Sequence, residues 1–199
     1  MYDKPDGGLF NKKNPVIAFV IYGPIEEPVA EAFKGSIESY IYSIGRELEQ
    51  FPSFSRICRK IPKITTSQNQ KYALLDDIKN VEGNLKIGLT DVTFYSESDR
   101  KNIFGFGGVG ISVFSLTEFR KECPDKREFF NRVEKESIKM LSLALGIPDC
   151  LDTRCIITYH RHVTDLDLND YVCPDCRKAI IDEMNDILRA VNTSDGARV

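Results

Sequence analysis

Four of the six cysteines in this 199-residue chain fall in the pattern C-x4-C-x17-C-x2-C, at Cys150, Cys155, Cys173 and Cys176. Each close pair makes one knuckle, and a closed tetrahedral metal site needs two knuckles brought face to face by a loop. Pro174 inside the second knuckle suits a tight turn. The segment 147–176 holds few apolar residues, so burial alone is not expected to fold it. A structural Zn²⁺ supplies roughly 10–16 kcal/mol of apparent binding energy to such a segment. The spacing predicts one structural Zn²⁺ on these four thiolates.

That expectation needs cysteines that stay reduced. The first ten residues, "MYDKPDGGLF", lack the charged-then-apolar order of an export signal. No apolar run reaches the roughly 18 residues of a membrane span. The reading is a cytoplasmic protein whose cysteines are thiols or metal ligands rather than disulfides. With a net charge of −3, there is no basic footprint for nucleic acid or an anionic membrane. Cys58 and Cys123 lie outside the pattern, and Cys58 reads as a small core residue.

Residues 1–14 are polar and glycine-containing, and are read as a flexible arm. "PVIAFVIYG" (15–23) is a continuous β-branched run closed by glycine, the pattern of a strand buried on both faces. In 26–50, Val29, Phe33, Ile37, Ile41, Ile44 and Leu48 recur at steps of three and four, which predicts a long amphipathic helix. "FSRICRKI" (54–61) and "LKIGLTDVTFYS" (85–96) read as strands, and "ALLDDIKN" (73–80) as a short helix. "NIFGFGGVGISVFSL" (102–116) is glycine-rich and then β-branched, so it marks a bulge or a close backbone approach more than a phosphate loop. A second long helix is expected over 126–146, with Phe130, Val133, Ile138, Leu141 and Leu145 inward and Gly146 at its C-terminal cap. A third is expected over 177–191, before a frayed tail at 192–199.

The helix that runs into the cysteines, "KMLSLALGIPDC" (139–150), carries a resemblance. The archaemetzincins, zinc metallopeptidases of the metzincin clan, have H-E-x-x-H-x-x-G-x-x-H-C-x4-C-x-M followed by a later C-x-x-C. With Cys150 on the first cysteine of that motif, Gly146 falls on its glycine, Cys155 on the second cysteine, and Cys173 and Cys176 on the final pair. "IGLTDVTFY" and "NIFGFGGVGISVFSL" are similar to the two strand segments that precede the active helix of that family, and the resemblance covers about 15–190. It implies an α/β, metzincin-like three-layer domain over 15–191 with a mixed twisted sheet and two long helices. A C-terminal four-cysteine zinc-binding subdomain belongs to that domain.

The departures decide the expected function. Lys139, Leu143 and Asp149 stand at the three histidine positions, Met140 at the glutamate and Ile157 at the methionine. A zincin holds its metal with two histidines at i and i+4 and a third ligand beyond the glycine, and a glutamate takes a proton from bound water. Lys139 is a cation, Leu143 has no donor atom, and Met140 cannot be a general base. The chain has two histidines in all, His160 and His162, so a three-histidine site is excluded. Both are read as exposed in a polar loop. The alternative is an active peptidase with a rearranged metal on Asp149, His160 and His162. The reading adopted is a pseudo-metalloprotease that binds an extended peptide or protein partner, or serves as a complex subunit. In the resembling family an edge strand beside the active helix holds the substrate. The resemblance assigns that place to 108–116, including Gly110, Ile111, Ser112, Val113 and Phe114.

Overall fold

A computed structural model describes residues 15–60, 70–96, 101–123 and 125–194. The expected arm at 1–14 lies outside the described residues.

The continuous apolar run becomes β1 (Val16–Tyr22). Its side chains alternate between two cores. Ile17, Phe19 and Ile21 enter the larger one, Val20 and Tyr22 the smaller. Burial on both faces requires helices on both sides, and the chain supplies them. α1 (Glu27–Ile44) brings Val29, Ala30, Phe33, Ile37, Ile41 and Ile44 to the larger core. The strand expected at 54–61 is two short pieces, β2 (Ser53–Phe54) and β3 (Cys58–Lys60), both parallel to β1. α2 (Gln70–Lys79) covers the other face with Leu74 and Ile78. Three layers result, as expected.

β4 (Leu85–Thr90) ends at Thr90, so the expected single strand at 85–96 is divided. β5 (Phe94–Ser96) pairs with β6 (Lys101–Ile103) in a separate two-stranded ribbon. The glycine-rich stretch then makes β7 (Gly105–Gly108), which turns back antiparallel into β8 (Ile111–Ser115). The main sheet runs β2-β1-β4-β8-β7, with β3 also on β1. Pairing is parallel except for β7, so the sheet is mixed.

This order corrects one expectation. The segment 108–116 is not the edge. β8 lies between β4 and β7, with Val113 and Phe114 fully buried. The edge strand is β7. Glycines weaken a strand interior on composition alone, but an edge strand packs against one neighbour and tolerates them. A Cβ at Gly107 would lie 2.4 Å from the carbonyl oxygen of Ile111, so this close approach to β8 requires glycine.

α3 (Thr117–Glu122) is short and leads into α4 (Lys126–Ala144). Asp125 caps α4 by accepting from the N–H groups of Arg127 and Glu128. Its buried face is only partly the expected one. Phe129, Val133, Met140, Leu141 and Ala144 are buried, whereas Phe130 and Ile138 are half-buried. Arg132, Glu136 and Ser137 are buried on the same helix, and these polar residues hide the apolar period.

α4 stops as the sequence requires. Gly146 has φ +81, its N–H donates to Leu143 O, and the N–H of Ile147 donates to Ser142 O. These two bonds form a Schellman cap. The N–H of Gly110, in the β7–β8 turn, donates to Ala144 O at 2.7 Å and satisfies another terminal carbonyl. After a 3₁₀ segment at Val163–Leu168, α5 (Pro174–Ser194) completes the chain. It begins three residues earlier than expected because proline is favoured in a first turn. It also runs through 192–194, which were expected to be tail. No helix among the described residues is long and apolar enough to cross a membrane.

Replacing Gly146 with Ala should destabilise the fold by about 1–2 kcal/mol, the cost of a left-handed non-glycine residue. The new Cβ would also meet Val109 Cγ2 at 2.9 Å. Urea unfolding should show a lower midpoint with an unchanged slope.

Candidate metal centre and cleft

The four cysteines arrive from three places. Cys150 follows the Gly146 turn, and its N–H donates to Ile157 O. Cys155 closes a turn on Asp152 O. Cys173 immediately precedes α5, and Cys176 lies in its first turn. All four are free thiols, and their sulfur atoms lie within 4.8 Å of one another. Cys150 Sγ and Cys173 Sγ are 3.7 Å apart. Tetrahedral zinc with Zn–S bonds of about 2.3 Å separates its sulfurs by about 3.8 Å, so the thiols fit that ion.

The backbone is already arranged for negative sulfur. The N–H groups of Asp152, Cys173 and Cys176 point at Cys150, Cys155 and Cys173 Sγ, at 3.4 to 3.5 Å. Burial pushes the Cys155 and Cys176 thiols up. Burial acts the same way on Cys173, but the Cys176 N–H and neighbouring thiols outweigh it and hold Cys173 low. The segment is also less dependent on metal than its composition suggests. Ile147, Ile157, Val163 and Leu166 join the larger core.

Beside the cluster, a cavity of about 310 Å³ opens between β7 and α4. The five departures from the peptidase motif, Lys139, Met140, Leu143, Asp149 and Ile157, all line it. The Lys139 ammonium is 3.2 Å from Asp149 Oδ1, so the first and third metal-ligand positions of the resemblance hold an ion pair. Lys139 also donates to Thr158 O at 2.5 Å and lies over the Tyr159 ring. Met140 is buried, with its Sδ and Cε 2.8 and 2.9 Å from where a Cβ on Gly105 would stand. The thioether therefore fills the space at the base position. Leu143 is half-buried on the next turn. These side chains do not fit a catalytic metal: a cation, a thioether and an alkyl group replace its ligands and base.

His160 and His162 are not a matched exposed pair. His162 is exposed, but His160 is buried. Its Nε2 lies 2.6 Å from Asn169 Oδ1, and its Nδ1 lies 3.4 Å from the buried Glu136 Oε2. Asp149, His160 and His162 are not brought together. Among the described residues, the cysteine quartet is the one group of three or more ligands gathered closely enough for a metal. The rearranged-site expectation is corrected accordingly.

Sequence reasoning missed this Glu136–His160–Asn169 chain. It also missed Arg132, which is 4% exposed and makes a two-pronged pair with Asp167 while donating to Cys123 Sγ. The Arg132 guanidinium, through its hydrogen bonds, holds the Asp167 carboxyl below its usual range. No spacing signal existed for either network, because the partners lie 9 to 35 residues apart along the chain, outside any helix or strand period.

His160→Ala should cost about 3–5 kcal/mol by leaving the Glu136 carboxylate buried without its partner. His162→Ala should cost less than about 1 kcal/mol. Paired chemical-denaturation curves measure the difference.

No family model matches the chain. It is 29% identical over 101 residues to an archaemetzincin of Pyrococcus furiosus, a match covering 47% of this chain and 52% of that protein. The match thus spans about half the length of that relative. It is 27% identical over 152 residues to an archaemetzincin of Methanocaldococcus jannaschii, covering 67% of this chain and 83% of the relative. In fold it is similar to the Methanopyrus kandleri archaemetzincin, with a TM-score of 0.67 at 16% identity over 88% of this chain and 98% of that one. It is also similar to the Archaeoglobus fulgidus archaemetzincin complexed with malonate, with a TM-score of 0.64 at 15% identity over 82% and 99%. In sequence over part of its length, and in fold over most of it, this chain is similar to archaemetzincins, and its four cysteines meet beside the helix that carries the resemblance.

Proposed function

We propose that this chain is a catalytically inactive archaemetzincin that holds one structural Zn²⁺ on Cys150, Cys155, Cys173 and Cys176 and binds an extended peptide segment of a partner in its cleft. The observation that carries inactivity is the Lys139–Asp149 ion pair, with Met140 packed on Gly105. In the family motif these positions supply metal ligands and a base. Here a fixed ammonium and an apolar floor take their place. No zinc-bound hydroxide can form without ligands to hold the ion.

Peptide binding is supported by the edge of β7, which among the described residues pairs with β8 alone. The N–H of Ser115 donates to Phe104 O, which marks Phe104–Ser115 as a hydrogen-bonded pair at the start of the β7–β8 ladder. Alternation along an antiparallel ladder then turns the N–H and C=O groups of Gly105 and Gly107 outward. Gly107 and Gly108 are exposed, and no side chain on either glycine screens that backbone. An added strand can use these groups with little side-chain selectivity. The edge and the cavity share residues 105–107, so a captured segment lies over the apolar floor.

The zinc is expected at one equivalent per chain by elemental analysis of protein purified without chelator. Cys173→Ser should lose it and destabilise the chain far more than Cys58→Ser, in which a half-buried thiol outside the cluster changes. A protein free of zinc after such purification overturns the structural-metal reading.

A diverse peptide library should emerge uncut from incubation with the zinc-loaded chain, and cleavage that a chelator stops would refute inactivity. Binding is read separately, by affinity capture of the same library. Methylating alternate backbone nitrogens of a captured peptide should abolish retention in one phase of the alternation and spare it in the other. Equal retention of both sets rules out strand addition on β7.

A further inference from the structure

We infer that the cleft receives the C-terminal end of a peptide, with Arg161 and the remaining N–H of Lys139 holding the terminal carboxylate. The inference rests on the reading that β7 captures an extended segment, and it names the end of the segment that is recognised.

The charges of the cavity lining select the ligand. Lys139, Arg161, Asp149, Glu136 and His160 are its ionisable members besides Tyr159. Lys139 and Asp149 cancel as an ion pair. The Glu136–His160 pair is fixed by hydrogen-bond logic. The amide of Asn169 donates through Nδ2 to Thr153 O at 2.9 Å, so its Oδ1 faces the imidazole. His160 Nε2 must therefore carry the hydrogen. That leaves Nδ1 and Glu136 Oε2, two buried atoms with no other hydrogen-bond partner, facing each other at 3.4 Å. Two bare acceptors repel, so one proton lies between them. The pair sums to zero whichever atom carries that proton.

Arg161 is then the uncompensated charge. It is exposed and lines the cavity, and its guanidinium forms no ion pair among the described residues. Asp165, the nearby acid, is directed elsewhere: its Oδ2 accepts the backbone N–H groups of Arg161 and His162. Lys139 adds a donor. An ammonium has three N–H bonds, and Thr158 O and Asp149 account for two. An anion in this cavity meets one free guanidinium fork and one free ammonium N–H, the donor set that suits a carboxylate.

Size selects the chain end over an acidic side chain. The cavity is about 310 Å³, and β7 offers four residues of edge. That space takes the last two or three residues of a peptide. Met140, buried under Gly105, forms its floor.

The test uses the zinc-loaded full chain, immobilised, and an N-acetylated random decapeptide pool made in two forms, with free C-terminal carboxylates and with C-terminal amides. Retained peptides are counted by mass spectrometry. The expected result is retention of the free acids over the amides by at least about tenfold, the scale of one charge-assisted contact. Arg161→Ala should reduce free-acid retention by a similar factor and leave amide retention unchanged, and Arg161→Lys should restore part of the preference. Because Arg161 is exposed, the variant should keep the wild-type melting temperature and zinc content, and this control separates lost contact from lost fold. Equal retention of acids and amides that Arg161→Ala does not change overturns the inference while leaving strand capture standing. Retention that follows internal Asp or Glu regardless of amidation also overturns it, in favour of a side-chain carboxylate. If neither pool is retained, strand capture itself fails, and the inference with it.

Discussion

Four sulfur atoms within 4.8 Å of one another hold together the turn after Gly146, the segment that follows it and the start of α5. As thiolates they repel, and as thiols they bury weak donors at some cost; a divalent cation resolves both problems at once. Because Cys173 and Cys176 straddle the start of α5, fixing the sulfurs also fixes that helix. Ile180, Ile181 and Met184 then enter the larger core, and Asn185 accepts the N–H of Glu49 beyond the end of α1. Cys150 belongs to the same cluster, and it stands four residues beyond the cap of α4. The cysteine cluster therefore ties the turn after α4 to the start of α5.

The cleft beside it keeps the outline of the motif it resembles with different side chains in the ligand and base positions. In the peptidase motif a metal cation bridges the helix and the segment after the glycine. Here Lys139 extends a cation from the same helix to Asp149 and to the carbonyl of Thr158. The attraction across the gap is thus supplied by a charge covalently attached to the chain. Met140 supplies packing where a base would supply proton transfer. Both changes favour a closed, apolar floor under an intact edge strand.

α4 carries an unusual polar load for a core helix. Arg132 meets Asp167, Lys135 donates to Leu166 O, Glu136 faces His160, and Lys139 meets Asp149. All four contacts reach the segment between the knuckles or the turn before them. A buried charge costs several kcal/mol unless paired, so each contact holds a definite register between α4 and that segment. The loop that looked solvated in the sequence is thus held by the helix it crosses.

Much of this was written in local sequence. The apolar run of β1, the three-and-four spacing of α1, the glycine stop of α4 and the knuckle spacing each depend on neighbours along the chain, and each appears in the structure. The absence of peptidase ligands is likewise a matter of composition, since two histidines cannot make three. Tertiary structure alone decided which glycine-rich strand forms the edge, because strand order is set by what packs on either side, and β7 and β8 carry no mark of that in themselves. It also decided that His160 is buried and His162 exposed. In an isolated extended segment the two imidazoles would share a face; Glu136 and Asn169, brought from α4 and the inter-knuckle loop, draw one of them into the core. Periodicity reports where apolar groups go, but a buried polar residue is placed by a partner distant in sequence, and that partner exists only once the chain has folded.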